Sequence, residues 1–111
     1  MVRLKGLFYN KIMTHVYILT NPSFPEIKIG YSGNIQERLG ILNCSVPTRF
    51  NVYDSKEYPN PNIARQVESG LHVKFKEHRT GNGEFFYIDP ERAAIELYHI
   101  GNDVMSQNNL S

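Results

Sequence analysis

Three scarcities narrow what this chain can be. It holds one cysteine, Cys44, so an internal disulfide framework is excluded, and the residue reads as a small, partly buried apolar side chain in a reducing compartment. It has no excess of either charge, with Lys plus Arg numbering 12 against 11 Asp plus Glu. Proteins that coat nucleic acid or anionic membrane through bulk charge are strongly basic, so any anion site here must be a local arrangement. The chain also lacks an apolar run near the length of a membrane span, and its opening MVRLKGLFYNKIM is too polar for a signal peptide. The expectation is a cytoplasmic product, nuclear in a eukaryotic or viral setting, with no membrane partner.

What is present suffices for one core. The 111 residues are 41% hydrophobic and 12% aromatic, a composition that builds a single domain without staples. The first dozen residues show no clear period; Leu7, Phe8 and Tyr9 fit either a short strand or a loop. HVYIL and EIKIG are β-rich runs around TNPSFP, which predicts a hairpin with a longish loop. Asn34 followed by Glu37 forms a capping-box pattern, and Ile35, Leu39 and Leu42 recur at helical spacing, predicting a helix over 35–43. RFNVYDS alternates as a strand. PNPN opens a second helix with Ile63, Val67, Leu71 and Phe75 at i+4 intervals. RTGNG reads as a turn and EFFYI as an extended run. Asp89 and Pro90 mark the start of a last helix that should end at Gly101, before a polar tail. The expected class is α+β, a small antiparallel sheet flanked by helices, divided as an extension over 1–13, one domain over 14–101 and a tail over 102–111.

The hairpin makes a geometric point. Side chains alternate along a strand, so Val16, Ile18, Ile27 and Ile29 belong to the core face, and any register obeying that rule leaves Tyr17 and Lys28 together on the other face. The simplest register places them directly opposite, with Gly30 opening the surface beside them. In KIGYSGNIQERLG, Lys28 on a strand is followed across a tight turn by Arg38, at the edge of its helix's apolar stripe. Glu68 flanks the apolar face of the second helix in the same way. Taken singly, each is compatible with an ordinary boundary or surface charge. His72, His78 and His99 show no metal-ligand spacing with Cys44. The GNG at Gly81–Gly83 lacks the lysine and the following Ser or Thr of a phosphate-binding loop.

Taken together, HVY, ten residues, KIG, seven residues, Arg38 and a later helical Glu68 resemble the GIY-YIG nuclease domain, over about 14–88. KIGYSGNIQERL is especially close to that family's run from its second tripeptide to its arginine, and GEFFYI is similar to the last strand of a small phage- and virus-associated branch. Tyr17 matches the first tripeptide's tyrosine, while His15 stands where the family usually has Gly. Lys28 stands where most members have Tyr and a minority branch has Lys. The asparagine many members carry late in the domain has no clear counterpart, Asn82 being the candidate.

The resemblance implies a metal-dependent endonuclease acting on DNA, with RNA left open, through a one-metal site. Glu68 would hold Mg²⁺ or Mn²⁺, since hard cations take oxygen ligands. Arg38 would fork onto phosphate oxygens. Tyr17, its pKa lowered by Lys28, would act as base, or the two would exchange roles. The rival readings are a nucleic-acid-binding module of the same fold without cleavage, and an interaction domain whose charges are incidental. A monomer or weak homodimer is expected.

Overall fold

The computed structural model describes residues 13–110; the expected extension, with Leu7 to Tyr9, lies outside them apart from Met13. Strands β1 (Thr14–Asn21) and β2 (Phe24–Ser32) form an antiparallel hairpin, followed by helix α1 (Ile35–Asn43), strand β3 (Asn51–Tyr58) and helix α2 (Pro61–Lys74). A 3₁₀ turn (Lys76–His78), the short strand β4 (Phe85–Phe86) and helix α3 (Pro90–Gln107) complete the order. The sheet runs β3-β1-β2-β4, antiparallel throughout. This is the α+β arrangement that the run of short strands and amphipathic helices implied.

Each helix starts where its capping residue places it. Asn34 accepts from the Glu37 amide at 3.0 Å, Asn60 from the Ile63 amide at 2.9 Å and Asp89 from the Glu91 amide at 3.0 Å. These bonds satisfy amides that have no partner within the helix. One face of the sheet carries Val16, Ile18, Ile27 and Ile29 into a core with Val67 and Leu71 of α2 and Leu97 of α3. Burying each such side chain contributes roughly 1.5–3 kcal/mol, which makes this layer the main source of stability.

Four expectations are corrected. The hairpin loop is not long: Pro22 and Ser23 alone connect the strands. The turn is held because the buried Asn21 accepts from the Ser23 amide (2.9 Å) and from the Thr48 hydroxyl (2.6 Å). Pro25 falls at the bulged end of the ladder, where a missing N–H interrupts no regular pair. Second, the bulge between Leu19 and Asn21 moves the register by two residues, so Tyr17 faces Gly30 and Leu19 faces Lys28. A two-residue shift preserves parity, and Tyr17 and Lys28 still share a face.

Third, α3 does not end at Gly101. It continues to Gln107, so most of the expected tail over 102–111 is helix. Gly101 is a point of close approach: a Cβ there would collide with the Tyr58 hydroxyl. The stripe Ala93, Leu97, Gly101 carries on to a buried Val104, so packing continues past the glycine that looked like a stop. The left-handed residue sits later, at Asn109 (φ 59°). The extended run EFFYI is also shorter than expected, with only Phe85 and Phe86 in ladder contact.

Candidate active site

The second face of the sheet is not the open surface expected for Tyr17 and Lys28. Helix α1 lies over it, and its half-buried Ile35, Leu39 and Leu42 pack on Tyr17, Leu19 and Phe50. Tyr17 is therefore buried, with its hydroxyl at the rim of a small second core. Gly30 sits opposite it. A Cβ at Gly30 would lie 2.6 Å from both the Tyr17 hydroxyl and Glu84 Oε1, so the missing side chain is the space in which these two groups meet.

Glu84 draws the rest together. Its Oε1 is 3.1 Å from Lys28 Nζ. Its backbone carbonyl accepts from the Ile29 amide at 2.9 Å, which ties the start of β4 to β2. Glu68, from α2, faces the Glu84 carboxyl, and burial followed by the Glu84 charge and a hydrogen bond to it pushes Glu68 up to about 7. Lys28 and Arg79 offset part of that rise. Glu68 is only 8% exposed, and its buried Oε2 has no hydrogen-bonding partner among the described residues. His72, one turn on, is oriented by Nε2 lying 3.0 Å from the Ile29 carbonyl oxygen. With that ring nitrogen donating to the carbonyl, the 3.9 Å approach of Nε2 to Glu68 Oε2 adds no short bond.

Arg38 reaches the same place from α1. It is solvent-exposed on its helix and close enough to the Tyr17 hydroxyl to draw its pKa down. Burial nevertheless prevails, helped by the charges of Glu84 and Glu68, and Tyr17 is pushed up to about 12. This corrects the expectation that Lys28 would lower it. Lys28 is paired with Glu84, and in the free protein Tyr17 is a neutral O–H donor at neutral pH.

Tyr17, Lys28, Arg38 and Glu68 thus converge from β1, β2, α1 and α2. Sequence reasoning missed Glu84 and Arg79, and weighed His72 only as a partner of Cys44 in a metal site. Asn82 does not replace the absent asparagine: it is exposed, and it meets the neighbourhood through its backbone carbonyl, which accepts from Arg79 at 2.9 Å. His15 is drawn away to an ion-pair distance of 3.2 Å from its cross-strand neighbour Glu57.

A cluster of this kind, carried on this fold, agrees with what comparison shows: residues 14–99 match the T5orf172 domain family. The chain belongs to that family. It is a nuclease-like domain family associated with endonucleases. Neither a curated protein nor a solved structure matches the chain. In this T5orf172 domain the match spans every residue of the cluster, from Tyr17 to Glu84.

Among the described residues, no group of three or more His, Cys, Asp or Glu side chains is placed to hold a metal ion. Two carboxylates do meet. One has an unpartnered buried oxygen and holds its proton unusually tightly, which is the charge imbalance a divalent cation relieves. An all-oxygen donor pair completed by water suits a hard ion such as Mg²⁺ or Mn²⁺.

Proposed function

We propose that this T5orf172 domain is an endonuclease of GIY-YIG type that hydrolyses DNA phosphodiester bonds with the aid of a divalent cation. The observation that carries the reading is the Glu68 carboxyl: buried, with one oxygen short of a partner, and gathered with a second carboxylate, a lysine, an arginine and a tyrosine from four elements and the segment before β4. Burying such groups costs stability unless they are paired, and a scaffold that keeps them together on one face of a sheet is characteristic of a reactive site.

Each residue has work in such a reaction. Glu68, with Glu84 beside it, would hold Mg²⁺, which when bound supplies charge neutralisation at the phosphate and an acidified water. Arg38 presents a planar fork to non-bridging phosphate oxygens and stabilises the charge that develops on them. Lys28, held by Glu84 at 3.1 Å, adds a second positive charge to the same cluster. Tyr17 binds and orients as a hydroxyl. Its pKa is raised first by burial and only then by the charges of Glu84 and Glu68, so neutralising those carboxylates removes only part of the rise and Tyr17 serves as a proton donor. The missing Gly30 side chain lets the Tyr17 hydroxyl and the Glu84 carboxylate approach each other over the strand, so that both can face one reacting phosphate.

The test is a nicking assay on supercoiled plasmid with and without Mg²⁺. Nicked circles are expected with the wild-type chain and none with Glu68→Ala. DNA binding without cleavage under every divalent ion tried would favour the second reading, a binding module of the same fold. That reading is supported by the missing late asparagine and by His15 in place of glycine.

A further inference from the structure

We propose that the apolar groove next to the cluster is a nucleobase subsite, which takes one unstacked base of a single-stranded or frayed strand whose phosphate lies at Lys28 and Arg38. The proposal rests on the nuclease reading above and deepens it by naming a substrate class. The groove has a volume of about 560 Å³ and is walled by Phe24, Ile41, Leu42, Val46, Phe50 and Phe85. That size falls within the roughly 300–1,000 Å³ of small-ligand sites.

Its rings form a series that ends on a catalytic cation. Phe24 stacks on Phe50 at 6.0 Å between centroids and 20° between planes; Phe50 meets Phe85 at 6.2 Å; Lys28 Nζ lies 4.8 Å above the Phe85 ring. Both walls are continuous with the elements that carry the cluster. On β2, Phe24, Glu26 and Lys28 alternate onto one face. On α1, Arg38, Ile41 and Leu42 stand at i, i+3 and i+4, one above the other. A strand whose phosphate is engaged by Lys28 and Arg38 therefore meets an aromatic-lined groove beside it. Glu26, Ser45 and Thr80 bring polar atoms to the same groove for a base edge.

The occupant follows from that continuity. Phe24 is 39% exposed and Ile41 62% exposed, so an apolar surface is left in water beside a site built for phosphate. In an intact duplex the bases are stacked inside, and only a single-stranded or extruded base can present its face to such rings. With Lys and Arg at 12 against 11 acids, bulk electrostatics holds little nucleic acid, and stacking is the remaining source of affinity.

The experiment uses the full chain carrying Glu68→Gln, so that nothing is cut. It measures binding of a short mixed-sequence DNA single strand with one internal 2-aminopurine, and of the matching duplex. The reference protein should quench the 2-aminopurine on binding and prefer the single strand. Adding Phe24→Ala should weaken single-strand binding about tenfold and relieve the quench, with duplex binding changed less than about twofold. Ile41→Ala, at a solvent-exposed position, should act in the same direction and serves should Phe24→Ala disturb the hairpin turn. Equal losses on both substrates, or no loss with either variant, would overturn the subsite. If the wild-type chain cuts plasmid while these variants bind normally, the subsite fails alone. If it cuts nothing but the single-strand losses appear, the subsite stands and the nuclease reading fails.

Discussion

The two faces of the sheet are built from alternate residues of the same strands and do opposite things. Val16 and Ile18 point into an apolar layer with α2 and α3, where the buried side chains need no polar partner. Tyr17, between them, points to a face where a hydroxyl, a lysine, two carboxylates and two guanidinium groups gather at the edge of a thin second core. Helix α1, which covers that face, has no fully buried residue. One face secures the fold and the other spends part of that stability on holding charges together. The difference should show in mutants: changes on the first face move stability and spare the chemistry, and changes on the second do the reverse.

The largest expected effect is at Glu68, which α2 carries to the charged cluster of the second face. Glu68→Ala should abolish divalent-dependent cleavage while the chain stays folded, because the side chain flanks the core of α2 without filling it. Glu68→Gln should also be inactive, yet more stable at alkaline pH. The sign follows from the raised pKa. The folded state binds the Glu68 proton more tightly than the unfolded chain does, so its contribution is fully present below about pH 4.5 and is lost as pH rises through about 7. Replacing the carboxylate by a neutral amide should recover about 1–3 kcal/mol at pH 8, visible as a higher Tm by several degrees. Full activity in either variant would remove Glu68 from the site.

Two glycines give the sharpest separation of the faces. Gly101→Ala places a methyl against the buried Tyr58 hydroxyl and should cost about 1–3 kcal/mol of stability through overpacking, with kcat unchanged in the folded fraction. Gly30→Ala places one between Tyr17 and Glu84. Some of that strain can be relieved at the end of the Glu84 side chain, so the stability loss should be smaller while cleavage falls about 10–100-fold, since a misplacement of about 1 Å costs that much. Thermal melts and single-turnover cleavage on the two variants check both halves. If Gly30→Ala lowered stability and left cleavage intact, the division of labour between the faces would be wrong.

Arg38→Ala should lower turnover by one to three orders of magnitude, since removing a donor to developing charge costs about 2–4 kcal/mol. Arg38→Lys should rescue it poorly, because a point charge lacks the bidentate fork. Good rescue in single-turnover assays would mean the residue acts through charge alone. As an exposed residue of α1, it should leave stability almost unchanged.

The same division explains what could be read from the sequence. The helix starts were legible because Asn34, Asn60 and Asp89 act locally, within three residues. The core face was legible because parity survives any even shift of register, and parity was enough to keep Tyr17 with Lys28. Arg38 and Glu68 were legible through family resemblance and not through their own patterns. Glu84 was not legible. By alternation it should share a side with Phe86, but β4 begins only at Phe85, so the residue before it is free to turn toward Lys28. Its role depends on where a two-residue strand pairs with a partner more than fifty positions earlier. The Tyr17 pKa was misjudged for a related reason: neither the cover provided by α1 nor the second carboxylate is a local property. Gly101 misled because a glycine at close packing and a glycine at a helix end look alike in sequence.

The smallest expected effect tests whether the two carboxylates act as one cation site. Without a divalent ion, Glu68 holds its proton up to about pH 7, because burial and Glu84 both disfavour its charge. A cation can occupy the pair only when that proton is gone, so cleavage at low Mg²⁺ should rise with pH through an acid limb near 7. Raising Mg²⁺ makes the ion a stronger competitor for the site and should move the limb to lower pH. Glu84→Gln removes the charge that contributes most after burial to the rise, and should shift the same limb downward even at low Mg²⁺, at some cost in metal affinity. Rate profiles between pH 5 and 8.5 at several Mg²⁺ concentrations would show both shifts. A limb that stayed in place in Glu84→Gln, and ignored Mg²⁺ in the wild-type chain, would mean that the proton on Glu68 and the metal do not share a site.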